Sequence, residues 1–142
     1  MAEMTRSSSL EAQLAFVVGR FNRRLLSATG GLSHGLLSAL ATVSKRGPIR
    51  MAELAVIEIV SAPSITRVVA ELENRGLVER SDDPADGRAF LIQVTAEGQE
   101  ALLRARQARA DVVSGMLADL EPEQVAAIQA ALPALEAAVG DA

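Results

Sequence analysis

The residues with the most chemistry on offer are a run of small side chains and two arginines. Ser61, Ala62, Pro63, Ser64, Thr66 and Arg67 crowd the start of a segment patterned as a helix. A helix N-terminus presents unpaired N–H groups to anions, and short hydroxyl side chains let a phosphate come close. Arg67 has the reach for a bidentate bond to a guanine edge, while Ala62 and Pro63 offer apolar contact to a thymine methyl. Arg88 falls at the tip of a strand–turn–strand pattern, where a cation can enter a narrow, electronegative minor groove. Asp86, two residues earlier, can hold that guanidinium or shape the loop. Lys45, Arg46 and Arg50 form a second basic cluster, equally suited to phosphate contact and to a solvated surface. This is the chemistry of holding a polyanion, not of breaking bonds.

Catalytic and redox chemistry find little support. The 142 residues include one His and no Cys. A disulfide framework, a thiolate metal site and a thiol switch are therefore excluded. A Ser-His-Asp set would rest entirely on His34, and a lone His is more often a surface or cap residue than a ligand. No enzyme activity and no cofactor are expected. No apolar run reaches the roughly 18 residues that a spanning helix needs, and the polar stretch Met1 to Ser9 lacks the apolar run of a signal peptide. A cytoplasmic protein without a membrane partner is the expectation.

The elements that must position these groups follow from apolar spacing. Ser8 and Glu11 are spaced as a capping box for a first helix, along which Leu10, Leu14, Val17, Phe21 and Leu25 form one stripe. Ala28-Thr29-Gly30-Gly31 stops it. A second helix starts at Ser33 and carries Leu36, Leu37, Leu40 and Val43. Ile49-Arg50 is a possible short strand, and Met51 to about Ile57 a short third helix. Ser61 caps a fourth helix to about Asn74, with Ile65, Val68, Val69 and Leu72 inward and Gly76 at its left-handed end. Strands are expected at Leu77–Arg80 and Ala89–Val94, joined by the turn-rich loop Ser81 to Gly87. Thr95 caps a long helix to about Leu120. A last helix carries Val125, Ile128, Leu132, Leu135 and Val139, and Pro133 should kink or shorten it. The core must be aliphatic, since half the residues are apolar but only three are Phe and none is Tyr or Trp. The outer helices carry more apolar surface than the middle of the chain can bury, which points to a partner subunit.

The ordered set Gly47-Pro48-Ile49, Glu53-Leu54-Ala55, Ser64 to Val69, Leu72-Glu73, Gly76 to Arg80, Asp83 to Arg88 and Val94 to Gly98 resembles the MarR family of bacterial regulators. The specific match covers about residues 47 to 98. The resemblance implies a mainly α fold with a small β-hairpin wing, in one domain over 1–142. A winged helix-turn-helix lobe would occupy 33–95, and a helical dimerisation lobe 8–30 and 96–142. It implies a homodimer with interlocked first, fifth and sixth helices, and double-stranded DNA as partner. The recognition helix would lie at 61–74 and the wing at about 82–90. It also implies a small aromatic or phenolic effector between the lobes, near which His34 would fall. Two positions depart from the common pattern. Glu58 and Ile59 stand where a leucine and a turn-making glycine are common, and Gly87 stands where a second arginine is common.

The charge runs against the expectation of DNA binding. The net charge is −4, and residues 61 to 90 hold four Arg against Glu71, Glu73, Glu79, Asp82, Asp83 and Asp86. Binding must then depend on which arginines face outward, helped by the field of Arg20, Arg23, Arg24, Arg104, Arg106 and Arg109. The sequence-specific regulator, a repressor on a pseudo-palindromic operator, is the first reading. A winged-helix dimer that binds proteins or small molecules without DNA stays open beside it.

Overall fold

A computed structural model describes residues 9–140. Nine elements follow one another: α1 (Leu10–Leu25), α2 (His34–Arg46), β1 (Ile49–Arg50), α3 (Met51–Glu58), α4 (Ala62–Asn74), β2 (Val78–Asp83), β3 (Asp86–Val94), α5 (Ala96–Leu117) and α6 (Pro122–Val139). The polar residues at the helix starts explain most of the boundaries. The hydroxyls of Ser33, Ser61 and Thr95 accept hydrogen bonds from the N–H groups of Leu36, Ser64 and Gly98, three residues on in each case. Each satisfies one donor that the first helical turn leaves free. The cap of α1 is Ser9, which accepts from the Ala12 N–H; the expected cap, Ser8, lies outside the described residues.

Three expectations need correction. Most of the segment read as a loop from Ser81 to Gly87 is strand, and only Pro84-Ala85 turns. Strand pairing continues to Asp82 opposite Phe90, then shifts register at Asp83, which faces Asp86. The long helix ends at Leu117, short of Leu120. Pro133 does not shorten α6, which runs through it to Val139. Every described residue of α6 is at least partly exposed, so water can satisfy the carbonyl that loses its N–H partner.

β1, β3 and β2 form one antiparallel sheet in that order, with Ile49 opposite Ile92 and Val78 opposite Val94. The core lies between this sheet and α2, α3, α4 and the first half of α5. Its completely enclosed side chains are aliphatic: Leu40, Val43, Ile49, Leu54, Ile65, Val69, Leu72 and Ile92. By contrast, α1 and α6 bury no residue at all. Leu10 is 76% exposed, Phe16 65% and Val139 74%. Among the described residues, no helix is long and apolar enough to cross a membrane.

One junction joins the parts. The Thr95 hydroxyl donates to the Gly76 carbonyl (2.6 Å), and the Thr95 N–H donates to the Leu77 carbonyl (3.1 Å). The same hydroxyl accepts from Gly98 N–H (3.0 Å). Gly98 packs so tightly that an added Cβ would overlap the Leu77 carbonyl oxygen and lie 2.7 Å from Val94 Cγ2. Gly98→Ala should therefore destabilise the protein. The helix-propensity gain of about 1 kcal/mol is smaller than the roughly 1–3 kcal/mol or more of overpacking against backbone. Thermal melting should show a fall of several degrees; an unchanged or raised midpoint would refute the tight junction.

Candidate nucleic-acid interface

The fourth helix is oriented by its apolar stripe. Ile65, Val69 and Leu72 are buried, and their spacing turns the opposite face to solvent. On that face Ser61, Ala62, Pro63, Thr66 and Arg67 are exposed, with Ser64 half-buried. Ser61 Oγ also donates to Ser64 Oγ (2.9 Å). Thr66 Oγ1 donates to the Ala62 carbonyl (2.8 Å), and Arg67 Nε reaches the Pro63 carbonyl at 3.4 Å. The structure thus brings all six predicted helix residues onto one helix start. At the other end Leu77 N–H bonds to the Leu72 carbonyl and Gly76 N–H to that of Glu73. Gly76 has φ +73°, so this is a Schellman stop with glycine at the left-handed position.

The hairpin is braced at one carboxylate. Asp83 is only 6% exposed. Its Oδ1 accepts the Ala85 N–H at 2.9 Å, which shapes the turn. Its Oδ2 lies 2.6 Å from both Nε and Nη2 of Arg50. Arg50 is thereby engaged in bracing the hairpin, a role distinct from the phosphate contact expected of it. Asp83 was counted in the sequence only as one turn acid among several. The Asp-Pro start of a turn was its one local sign, since the partner lies 33 residues away. Asp86 shapes the loop: its Oδ1 accepts the Arg88 N–H at 3.0 Å. Arg88 itself is exposed beyond the turn.

Pairing sorts the charge without changing its total, and Asp82 and Asp86 remain exposed acids on the hairpin. Arg75 is bound to Glu71 (2.8 Å) and Arg80 to Glu73 (3.0 Å), and Arg80 also stacks 4.3 Å above the Phe90 ring. Glu79 accepts from Gln93. Of the four arginines between 61 and 90, Arg67 and Arg88 are the two for which the structure records no acidic partner among the described residues. They are the two expected to meet DNA.

A cleft of about 390 Å³ opens behind this surface, between α2, α3 and α5. His34, Ser38, Thr42, Lys45, Arg46 and Arg109 line it. Arg109 Nε is buried there without a hydrogen-bond partner. In the sequence Arg109 counts only as part of a background field, because its approach to α2 is a tertiary contact.

A helix-turn-helix of α3 and α4, followed by a two-stranded wing on a three-stranded sheet, defines a winged helix-turn-helix protein. The chain belongs to the MarR family: residues 32–90 match the family model. It is 37% identical to an HTH-type transcriptional regulator of Mycobacterium bovis over 113 residues, 78% of this chain and 79% of the relative. Transcriptional regulator Tm0710 of Thermotoga maritima superposes with a TM-score of 0.69 at 28% identity, covering 87% of this chain and 86% of that one. A MepR mutant of S. aureus bound to an oligodeoxyribonucleotide shares the fold, with TM-score 0.69 at 12% identity over 93% and 99% of the two chains. The protein is a transcriptional regulator of the DNA-binding class and not an enzyme.

The brace at Asp83 has a pH signature. The Ala85 N–H, and to a lesser extent the Arg50 guanidinium, hold its carboxyl below the usual aspartate value against the opposing effect of burial. A carboxyl that is more acidic when folded stabilises fully above its unfolded pKa of about 3.9. That stabilisation drains away as pH falls through the lower folded value. Asp83→Asn should therefore melt below the unsubstituted protein by a constant margin above about pH 5, and the margin should narrow below about pH 4. A margin that stays constant or widens in acid would show that the carboxylate charge does not brace the hairpin.

Proposed function

We propose that the protein is a homodimeric repressor that reads a pseudo-palindromic operator. The first half of α4 enters the major groove, and the wing enters the adjacent minor groove. The observation that carries this reading is the sorting of charge. Glu71, Glu73 and Asp83 pair with arginines and Glu79 accepts from Gln93, while Arg67 and Arg88 stand exposed, without an acidic partner among the described residues, on the two elements that a winged helix offers to DNA. Ser61, Ser64 and Thr66 accept phosphate approach at the helix start, and Ala62 and Pro63 face the base methyls. Arg50 and Asp86 act at the wing by setting its shape. The lobe at 33–95 reads DNA and the flanking helices, 8–30 and 96–142, dimerise. The cleft supports a small aromatic or phenolic acid as effector, since Arg109 offers a buried, unpartnered N–H to its carboxylate.

The dimer reading is supported by the apolar faces of α1 and α6, which bury no side chain among the described residues. With an expected interface of more than about 2,000 Å², sedimentation at micromolar concentration should show a dimer; a stable, folded monomer would contradict it. Symmetry then sets half-sites about 10 bp apart.

The two arginines should behave differently on DNA. Arg88→Ala should weaken binding to operator and random duplex alike, and reduce the salt slope by about one per subunit. Arg67→Ala should cost about 1–3 kcal/mol per half-site on the operator and much less on random DNA. Both should melt like the unsubstituted protein, because exposed arginines contribute little to folding. Anisotropy titrations over a range of salt, with a duplex selected from a random pool by the protein itself, measure all of these. If neither substitution alters binding, the interface lies elsewhere and a protein-binding winged helix becomes the better reading.

A further inference from the structure

The protein contains the same helix stop twice, built in two ways. At the end of α4, glycine takes the left-handed position, as that motif prefers. At the end of α3 the hydrogen bonds repeat: Val60 N–H bonds to the Ala55 carbonyl and Ile59 N–H to that of Val56. Here the left-handed residue is Ile59, at φ +56° and ψ +48°. Among the described residues it is the one non-glycine residue with positive φ. A β-branched residue is a poor choice for that conformation, because its Cβ crowds the backbone. The Ile59 side chain is 90% exposed, so packing does not compensate for the strain. This turn leads directly into Ser61 and the start of α4.

What distinguishes the strained stop from the relaxed one is the residue before it. Glu58 places a carboxylate at a helix C-terminus, where the macrodipole disfavours it. Both of its oxygens are held from α2: Ser38 Oγ donates to Oε2 (2.7 Å) and Thr42 Oγ1 to Oε1 (2.6 Å). These are short, charge-assisted bonds, and all three residues are half-buried. Ser38 and Thr42 are one helical turn apart on α2 and so share a face. They grip the last residue of α3 from a neighbouring element. We propose that Glu58 is a positioning residue for DNA recognition. Its clasp by Ser38 and Thr42 holds the left-handed turn at Ile59 and so sets the angle at which α4 meets the major groove, a task that a glycine would otherwise do locally.

This inference rests on the reading of α4 as the recognition helix, and the test separates the two. Without DNA, Glu58→Ala removes both clasping bonds and should speed amide hydrogen exchange at Ile59 and Val60 by about tenfold or more, since even one charge-assisted hydrogen bond is worth about that factor. With the selected duplex, the same variant should lose about tenfold in affinity and much less on random DNA. Ser38→Ala combined with Thr42→Val should reproduce both effects from the α2 side, which also covers the case in which Glu58→Ala folds poorly. The deciding measurement is made in an Ile59→Gly background. With glycine at 59 the turn no longer needs the clasp, so adding Glu58→Ala should change affinity by less than about threefold. An equal loss in both backgrounds overturns the proposal, as does unchanged exchange at Ile59 and Val60. If exchange responds but no variant alters DNA binding, the clasp exists and does not position the reading head.

Discussion

The close approach of Gly98 to the Leu77 carbonyl is the constraint on which the relative placement of α4 and the hairpin depends. Three elements meet there: the stop of α4, the open end of the hairpin and the first turn of α5. Thr95 binds all three through one N–H and one hydroxyl. A wing and a recognition helix can read two adjacent grooves together only if their separation does not vary. Hydrogen bonds and a missing Cβ achieve this where side-chain packing alone would leave play. The long helix grows from the same point, so any change in how α5 sits is passed to both reading elements.

Around that junction, charge acts by arrangement rather than by amount. An acidic protein with a net charge of −4 gains little from long-range attraction to DNA. Local pairing offsets this. Glu71 and Glu73 each consume an arginine on or beside α4, and Asp83 consumes Arg50. The acids that make the segment look unsuited to DNA are the groups that rigidify it. The remaining cations are few and placed where geometry, not field strength, decides what they touch. Such an arrangement favours discrimination over affinity, because non-specific binding is mostly electrostatic.

Much of the fold could be read from short-range patterns. The caps Ser33, Ser61 and Thr95, the stop at Gly76 and the buried stripe of α4 all depend on residues within one or two turns of each other. The exposed placement of Arg67 and Arg88 followed from those same patterns. What escaped was long-range or conflicted with local composition. Asp82, Asp83, Asp86 and Gly87 are turn formers by type, yet the β2–β3 pairing continues through Asp82 opposite Phe90, and Asp83 is tied down by Arg50 and the Ala85 N–H. Pro133 disfavours a helix interior, yet α6 continues where its carbonyls meet water. The roles of Glu58 and Arg109 depend on residues from 16 to more than 60 positions away, with no local signal to announce them; Asp83 showed locally only as the start of an Asp-Pro turn, its arginine lying 33 residues off. The unusual Glu58-Ile59 pair was visible as a departure, but not the two hydroxyls that make it workable.

The turn at Ile59 also bears on how such a protein changes over generations. A glycine at that position would confine the geometry to one codon. Under the proposed positioning role of Glu58, the angle of α4 is encoded instead by residues on α2. On that proposal, descendants of a duplicated copy can drift apart in the sites they prefer through exchanges at positions 38 and 42, while the exposed residues of α4 stay the same. Comparing only the recognition helices of two such copies would miss the divergence between them.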